Sequence, residues 1–207
     1  RSFYDMITDL HAHTNFSKDA ADDPEELIKR MIAEGVEVFG ITDHNHWIKG
    51  GEKEHAAYMR ALIEKYKDKI KIYCGIELST LPGWELLDFS VPKLYDYALI
   101  EHLDLDQSIM HGDLFSYVDK VGIPCGIAHT DLFAFTEKIG IPAEAYLKKL
   151  ADRGIFWEMN VNYDSVHGYR EHEYVKRFFD SPEEQDIVRK TGISLGVPII
   201  PKMGKAV

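Results

Sequence analysis

The chain has 207 residues, of which 45% are hydrophobic and 29% are charged, and its formal net charge is −11. The composition is ordinary for a globular protein, and the length predicts one domain over residues 1–207. No apolar run reaches the roughly 18 residues that a membrane span needs, and the start lacks a signal-peptide layout. We therefore expect a cytoplasmic protein with no membrane partner. Without a block of Lys and Arg, extended nucleic-acid binding is disfavoured. Composition does not indicate the oligomeric state.

Strand-like and helical segments alternate along the chain. The predicted strands are residues 5–10, 36–42, 70–78, 97–100, 124–128, 155–159 and 193–197. One predicted helix begins at Pro24 and ends at Gly35, and the others cover residues 52–66, 112–121, 143–153 and 182–190. Such alternation predicts βαβ units with parallel strands. Seven strands with no obvious linker favour a closed or nearly closed α/β barrel over two domains.

Two cysteines, Cys74 and Cys125, each lie inside an apolar run. They lack the C-x-x-C spacing of zinc or redox sites. We expect them to be buried, inert thiols.

Histidines and carboxylates gather where the predicted strands end. In parallel α/β proteins, functional groups collect at the carboxyl ends of strands. The first six strands each deliver such residues: Asp9, His11, His13 and Asp19 after the first, Asp43, His44 and His46 after the second, Glu77 at the third, Glu101 and His102 at the fourth, His129 and Asp131 at the fifth, and Glu158 with Asn160 at the sixth. Six coincidences on one edge indicate a site, although one such histidine alone would not.

The residue types at this edge suit metal ions. In His11-x-His13, alternate residues of an extended segment point the same way, so both imidazoles can bind one ion. Imidazole and carboxylate together favour zinc, manganese or iron. Glu77, central on the third strand, is the natural candidate to bridge two ions. Adjacent metals can clamp a phosphoryl oxygen and lower the pKa of a bound water, which predicts hydrolysis of a phosphate ester.

The order of these residues resembles a known family. Asp9-Leu10-His11-Ala12-His13-Thr14, followed by Ser17 and Asp19, resembles the first motif of the polymerase-and-histidinol-phosphatase (PHP) family. Thr42-Asp43-His44, Gly75-Ile76-Glu77 and Ala128-His129 are similar to later motifs. The resemblance spans residues 5–158 and implies a distorted seven-stranded (β/α) barrel with two or three divalent metal ions.

Carried over residue by residue, the resemblance implies a ligand set. His11 and His13 would bind one metal, with Glu77 bridging to a second. His102 and His129 would complete the second metal, and Asp19 with His44 would bind a third. His11, Glu77 and His44 would carry catalysis, on a small phosphorylated substrate such as histidinol phosphate or a nucleotide.

The last strand departs from the family's pattern. A Gly-x-Asp-x-His segment usually closes the site there, whereas residues 195–200 read Leu-Gly-Val-Pro-Ile-Ile, with neither ligand. We interpret this as a missing segment near Gly196. The alternative is a degenerate, non-catalytic binding domain.

Further residues are candidates for supporting the metals or the substrate: Asp9, Asp43, His46, Glu158, Asn160 and Arg170. Asp9 could orient an imidazole from outside the ligand set, and Arg170 could hold a substrate phosphate with its bidentate guanidinium. A metal-dependent amidohydrolase is a second enzymatic interpretation. That class often uses a carboxylated Lys to bridge its metals, and no ligand-bearing strand end here offers a Lys.

Overall fold

The structure is a computed structural model, and it describes residues 7–110, 113–160 and 172–196. Contacts divide the chain into two compact units, Arg1–Cys125 and Gly126–Val207. Each unit is described by itself below.

The first unit is built on parallel strands joined by helices. Strands β1 (Thr8–Asp9), β2 (Val38–Ile41), β3 (Lys71–Ser79) and β4 (Tyr97–Glu101) pair in that order, all parallel. Helix α1 (Pro24–Ala33) connects β1 to β2, and α2 (Glu52–Tyr66) connects β2 to β3. A third helix, α3 (Leu114–Val121), follows β4. Because the strands are parallel, their carboxyl ends lie at the same edge.

The interior of this unit explains why its strands are continuous apolar runs. All five residues of β4 and the last six of β3 are buried, as expected for parallel strands covered on both faces. Helix α2 contributes Ala56, Met59 and Leu62 to the core.

Asp23 begins α1 by accepting hydrogen bonds from the backbone N–H groups of Glu25 and Glu26, with Pro24 in the first turn.

The second unit repeats the pattern on a smaller scale. Strand β5 (Cys125–Ile127), which starts at the unit boundary, pairs in parallel with β6 (Phe156–Trp157). Four helices belong to this part of the chain: α4 (Leu132–Lys138), α5 (Ala143–Asp152), α6 (His172–Asp180) and α7 (Pro182–Thr191). Trp157 is fully buried, stacks on Tyr174 and contacts Phe178 edge-on. Ser181 caps α7 by accepting from the N–H of Glu184.

The α/β class and the parallel pairing are confirmed, and six of the seven predicted strands are present. At the seventh, predicted over residues 193–197, the described residues contain one isolated parallel bridge, between Leu195 and Trp157. Closure into a barrel therefore stays a prediction. Helices α4 and α6 were not predicted. Among the helices of the described ranges, none is both long and apolar enough to cross a membrane.

Both cysteines are buried, as expected. Burial raises the pKa of each thiol, Cys74 and Cys125, to about 12. Because the thiolate is the reactive form, neither should react with a thiol reagent at pH 8 in the native protein, whereas the urea-unfolded chain should titrate both. Rapid labelling of the folded protein would contradict this prediction.

A tyrosine on β4 reaches across the neighbouring strands. The Tyr97 hydroxyl donates a hydrogen bond of 2.5 Å to the carbonyl oxygen of Leu10. The Tyr97 side chain has room to cross β2 and β3 because these strands carry glycines where the ring and the hydroxyl lie. A Cβ at Gly40 would lie 2.0 Å from the Tyr97 hydroxyl, and one at Gly75 would lie 2.6 Å from ring carbons. The glycines thus make room for the ring that ties β4 to the residue leading into the first histidine motif.

This packing predicts a selective rescue. Gly40→Ala should destabilise the protein by about 1–3 kcal/mol through overpacking, and Tyr97→Phe should relieve part of that cost by removing the hydroxyl. Gly75→Ala is the matched control, because its Cβ meets ring carbons that Phe retains. Urea denaturation of the single and double variants measures the coupling. Equal rescue of both alanine variants would contradict the packing described.

Candidate metal centre

The ends of all four strands of the first unit contribute to one cluster of polar side chains. His11 and His13 follow β1, His44 follows β2, Glu77 lies near the end of β3, and Glu101 ends β4. Glu77, Glu101 and His44 are buried. A buried cluster of this kind is costly unless its charges compensate one another or bind a cation.

Glu77 is the centre of this cluster. Its side chain is 0% exposed, its Oε1 lies 3.2 Å from His11 Nε2, and its Oε2 lies 3.0 Å from His13 Nε2. The two imidazole Nε2 atoms are themselves 2.9 Å apart. One carboxylate therefore faces both histidines of the His-x-His motif, one oxygen to each.

Asp19 orients the second of these histidines. Its Oδ2 lies 2.7 Å from Nδ1 of His13, on the opposite side of the ring from Glu77. Burial opposes ionisation, but the hydrogen bonds with His13 and His44 lower the pKa of the Asp19 carboxyl well below its usual range. An ionised Asp19 favours a proton on Nδ1 of His13, which would leave Nε2 as the nitrogen available to a metal ion. Carboxylates orient metal-binding histidines in this way.

His44 lies between three carboxylates. Its Nδ1 is 3.1 Å from Glu77 Oε2 and 3.1 Å from Glu101 Oε1, and its Nε2 is 3.4 Å from Asp19 Oδ2. Burial by itself lowers the pKa of His44, but Glu77, Asp19 and Glu101 outweigh burial and raise it to about 10. The cluster thus carries excess negative charge and attracts a positive one.

The donor atoms fit divalent metal ions. Two groups of three residues in this unit have ligand atoms within 4.8 Å of one another: His13 with His44 and Glu77, and His44 with His46 and Glu101. Donors about 2.1 Å from a tetrahedral metal lie roughly 3.4 Å from each other, close to the spacings around Glu77. Imidazole and carboxylate without thiolate suit zinc, manganese or iron.

A buried hydrogen-bond network holds Asp43, which precedes His44 in the Thr42-Asp43-His44 motif. Asp43 accepts hydrogen bonds from Thr14 N–H (2.6 Å) and Thr14 Oγ1 (2.8 Å), and it pairs with His55 Nε2 at 2.9 Å. His55 Nδ1 lies 3.0 Å from the Tyr95 hydroxyl. The network ties the residue after His13 to the residue before His44, so Asp43 fixes the backbone of both motifs.

The end of β4 has an uncommon backbone. His102 has φ 63°, in the left-handed region that non-glycine residues rarely adopt. Its ring contacts Ser79 Oγ through Nδ1 (3.1 Å) and Glu101 Oε2 through Nε2 (3.3 Å). Such strain persists where surrounding structure enforces it, and it clusters at functional sites.

The second unit holds the remaining predicted residues. His129 also has a positive φ, 23°, and its backbone N–H donates to Glu158 Oε2 at 2.8 Å. Glu158 Oε1 accepts from Asn160 Nδ2 at 3.4 Å. That Glu158 and Asn160 support the metal site stays a prediction. Arg170 lies outside the described residues.

The structure therefore brings together His11, His13, Asp19, His44 and Glu77 of the candidate ligands, with His102 adjoining them through Glu101. His46, which was predicted only to support the metals or the substrate, lies beside His44. Asp9 accepts from the backbone N–H of His11 (3.1 Å). Glu101 had no predicted role, because the resemblance passes from Glu77 to His102. Its place at the end of β4, beside a histidine, was the available signal.

The site and the strand order define a protein with a candidate metal centre on a parallel α/β framework. Comparison with known sequences gives its family. The chain matches the PHP domain over residues 9–192 and belongs to that family. No curated protein matches the chain.

Two solved structures are similar in fold. Histidinol phosphate phosphatase (HisK) from Lactococcus lactis subsp. lactis, complexed with zinc, L-histidinol and phosphate, has a TM-score of 0.58 and 18% identity, covering 92% of this chain and 85% of that one. A Listeria monocytogenes protein provisionally described as the histidinol phosphatase HisK has a TM-score of 0.57 and 14% identity, covering 91% and 92%.

Proposed function

We propose that this protein is a metal-dependent phosphoesterase that hydrolyses a small phosphomonoester or phosphodiester. The observation that carries the proposal is Glu77, a fully buried carboxylate whose two oxygens face His11 and His13 separately. Membership of the PHP family supports it. So does the fold of the L. lactis enzyme, which was solved with zinc, L-histidinol and phosphate; histidinol phosphate and nucleotide-type esters are the candidate substrates.

The residues assigned to two or three divalent ions follow the predicted ligand set. His11, His13 and Glu77 would hold one ion, Glu77 with His102 would bind a second, and Asp19 with His44 a third. Glu101, at 3.1 Å from His44, is a further candidate ligand. When bound, such ions supply Lewis-acid activation of a water and of the phosphoryl group.

The protein's own side chains prepare this centre. Asp19 keeps the Nδ1 proton on His13, so that Nε2 is free to coordinate. Asp43 and His55 hold the two histidine motifs at a fixed separation. The buried carboxylates around His44 favour cations, which allows an anionic phosphate to bind a chain whose net charge is −11.

A chelation experiment tests the proposal. Chelator-treated protein should not hydrolyse p-nitrophenyl phosphate, and zinc, manganese or iron should restore turnover. Histidinol phosphate and a 5′-nucleotide then compare substrates, and p-nitroacetanilide tests the amidohydrolase alternative. His11→Ala should remove the restored activity. Metal-independent turnover, turnover of the anilide alone, or full activity in His11→Ala would overturn the proposal.

A further inference from the structure

Three aromatic rings form a wall beside the metal cluster. His46 stacks on Trp84 with ring centroids 4.8 Å apart and an interplanar angle of 7°. Trp47 packs edge-on against both, at 4.6 Å from His46 and 5.4 Å from Trp84. We call His46, Trp47 and Trp84 the aromatic wall. Its rings come from two separate loops, so chain connectivity alone does not account for the stack.

Short, hydrogen-bonded turns hold both tryptophans. Trp84 ends a turn begun by Leu81, whose carbonyl oxygen accepts from Trp84 N–H at 3.1 Å. Pro82 and Gly83, with Gly83 at φ 84°, fit the second and third positions of a type II turn. Trp47 ends a 3-10 turn in which its N–H donates to His44 carbonyl oxygen at 3.0 Å. A fixed surface loses little entropy when it binds a ligand.

The aromatic wall directly adjoins the candidate ligands. The ring centroid of His44 lies 5.0 Å from that of His46 and 5.0 Å from that of Trp47, and Trp84 lies 6.5 Å from His102. A phosphoryl group bound at the cluster would therefore have this wall next to its ester substituent.

The wall is also open to a ligand. Trp84 keeps 40% of its surface exposed although one face stacks on His46. An exposed aromatic surface beside a phosphate-binding centre suits a flat, uncharged ring.

We propose that the aromatic wall is a specificity subsite that binds a planar aromatic ring in the leaving group of the phosphate ester. The inference rests on the proposed phosphoesterase function and narrows its substrates to esters of aromatic alcohols, heteroaromatic alcohols or nucleosides. Trp84 supplies the open ring, and His46 with Trp47 fixes its orientation. Aromatic pairs contribute beyond the area that they bury, so the wall should distinguish a flat ring from a saturated ring of similar size.

The test uses two non-hydrolysable probes, benzylphosphonate and cyclohexylmethylphosphonate. They share the phosphonate and differ in whether the ring is aromatic. Binding to the zinc-loaded full chain, measured by calorimetry, should favour the benzyl compound by about three- to tenfold. Trp84→Leu should remove that preference, and Trp84→Phe should keep part of it. Phe179→Leu, an exposed aromatic on α6, is the matched control and should leave the preference unchanged.

The probes separate this inference from the proposed function. Equal binding of the two phosphonates to the wild type, or an unchanged preference in Trp84→Leu, overturns the subsite even if phosphate esters are hydrolysed. A benzyl preference that disappears in Trp84→Leu supports the subsite. If the benzyl preference disappears in Trp84→Leu but the wild type shows no metal-dependent hydrolysis, the phosphoesterase assignment is overturned and the subsite is not. Thermal unfolding of each variant shows whether its fold is intact.

Discussion

Glu77→Gln should reduce metal-dependent phosphate-ester hydrolysis by about a thousandfold, equivalent to roughly 4 kcal/mol of lost transition-state stabilisation. The amide has nearly the shape of the carboxylate but lacks the negative charge. In the native site that charge faces His11 and His13 at 3.2 and 3.0 Å. The steady-state turnover rate and the metal content, measured on the same sample, should both decrease. Activity within tenfold of the wild type would show that Glu77 is not central.

Glu64→Gln provides the control for this variant. Glu64 is 72% exposed on α2, where it pairs with Lys67, and the substitution should change neither activity nor metal content. A second readout is independent of turnover. Because Glu77 raises the pKa of His44, Glu77→Gln should lower that pKa from about 10 in the metal-free protein, as measured by NMR titration. An unchanged His44 pKa would contradict the geometry.

Asp43→Ala should destabilise the first unit by about 3 kcal/mol or more. Asp43 is 0% exposed and accepts from the backbone and side chain of Thr14 while pairing with His55. Removing the carboxylate leaves these buried polar groups without their partner, and the cost of such desolvated groups exceeds that of losing a surface bond. Urea denaturation followed by tryptophan fluorescence measures the change.

Two further substitutions make that result specific. Asp43→Asn retains an acceptor for Thr14 and should be less destabilising. Asp152→Ala removes a 60% exposed carboxylate paired with Lys148 and should change stability by less than about 0.5 kcal/mol. If Asp43→Ala were as harmless as Asp152→Ala, the buried network would not hold the two histidine motifs together.

Most of the secondary structure could be predicted from apolar periodicity and helix-end signals. Helix α2 has the predicted bounds, and α5 and α7 differ by one residue at one end. Helix α4 was missed because it starts directly after the polar strand end at Asp131 and has only seven residues, too few for a clear helical period. Long-range pairing leaves no such local pattern, so barrel closure could not be predicted with the same force.

The site could be predicted in outline because strand ends meet at one edge. His11-x-His13 and Glu77 were identified from spacing, and the structure of the first unit brings them within hydrogen-bonding distance. The pairing of Asp43 with His55 was not predicted, since His55 lies in a helix where its position resembles that of any buried residue. The stack of His46 on Trp84 was missed for a related reason, because two loops meet there and neither encodes the contact alone.

The central claim is that the cluster around Glu77 is a working metal centre, and metal stoichiometry measured with turnover on one sample tests it most directly. Protein loaded with zinc or manganese and freed of excess ion should retain two or three equivalents by mass spectrometry and hydrolyse p-nitrophenyl phosphate. Chelation should abolish both properties together. One equivalent or none, with no hydrolysis after reloading, would contradict the account and identify the chain as a non-catalytic binding domain.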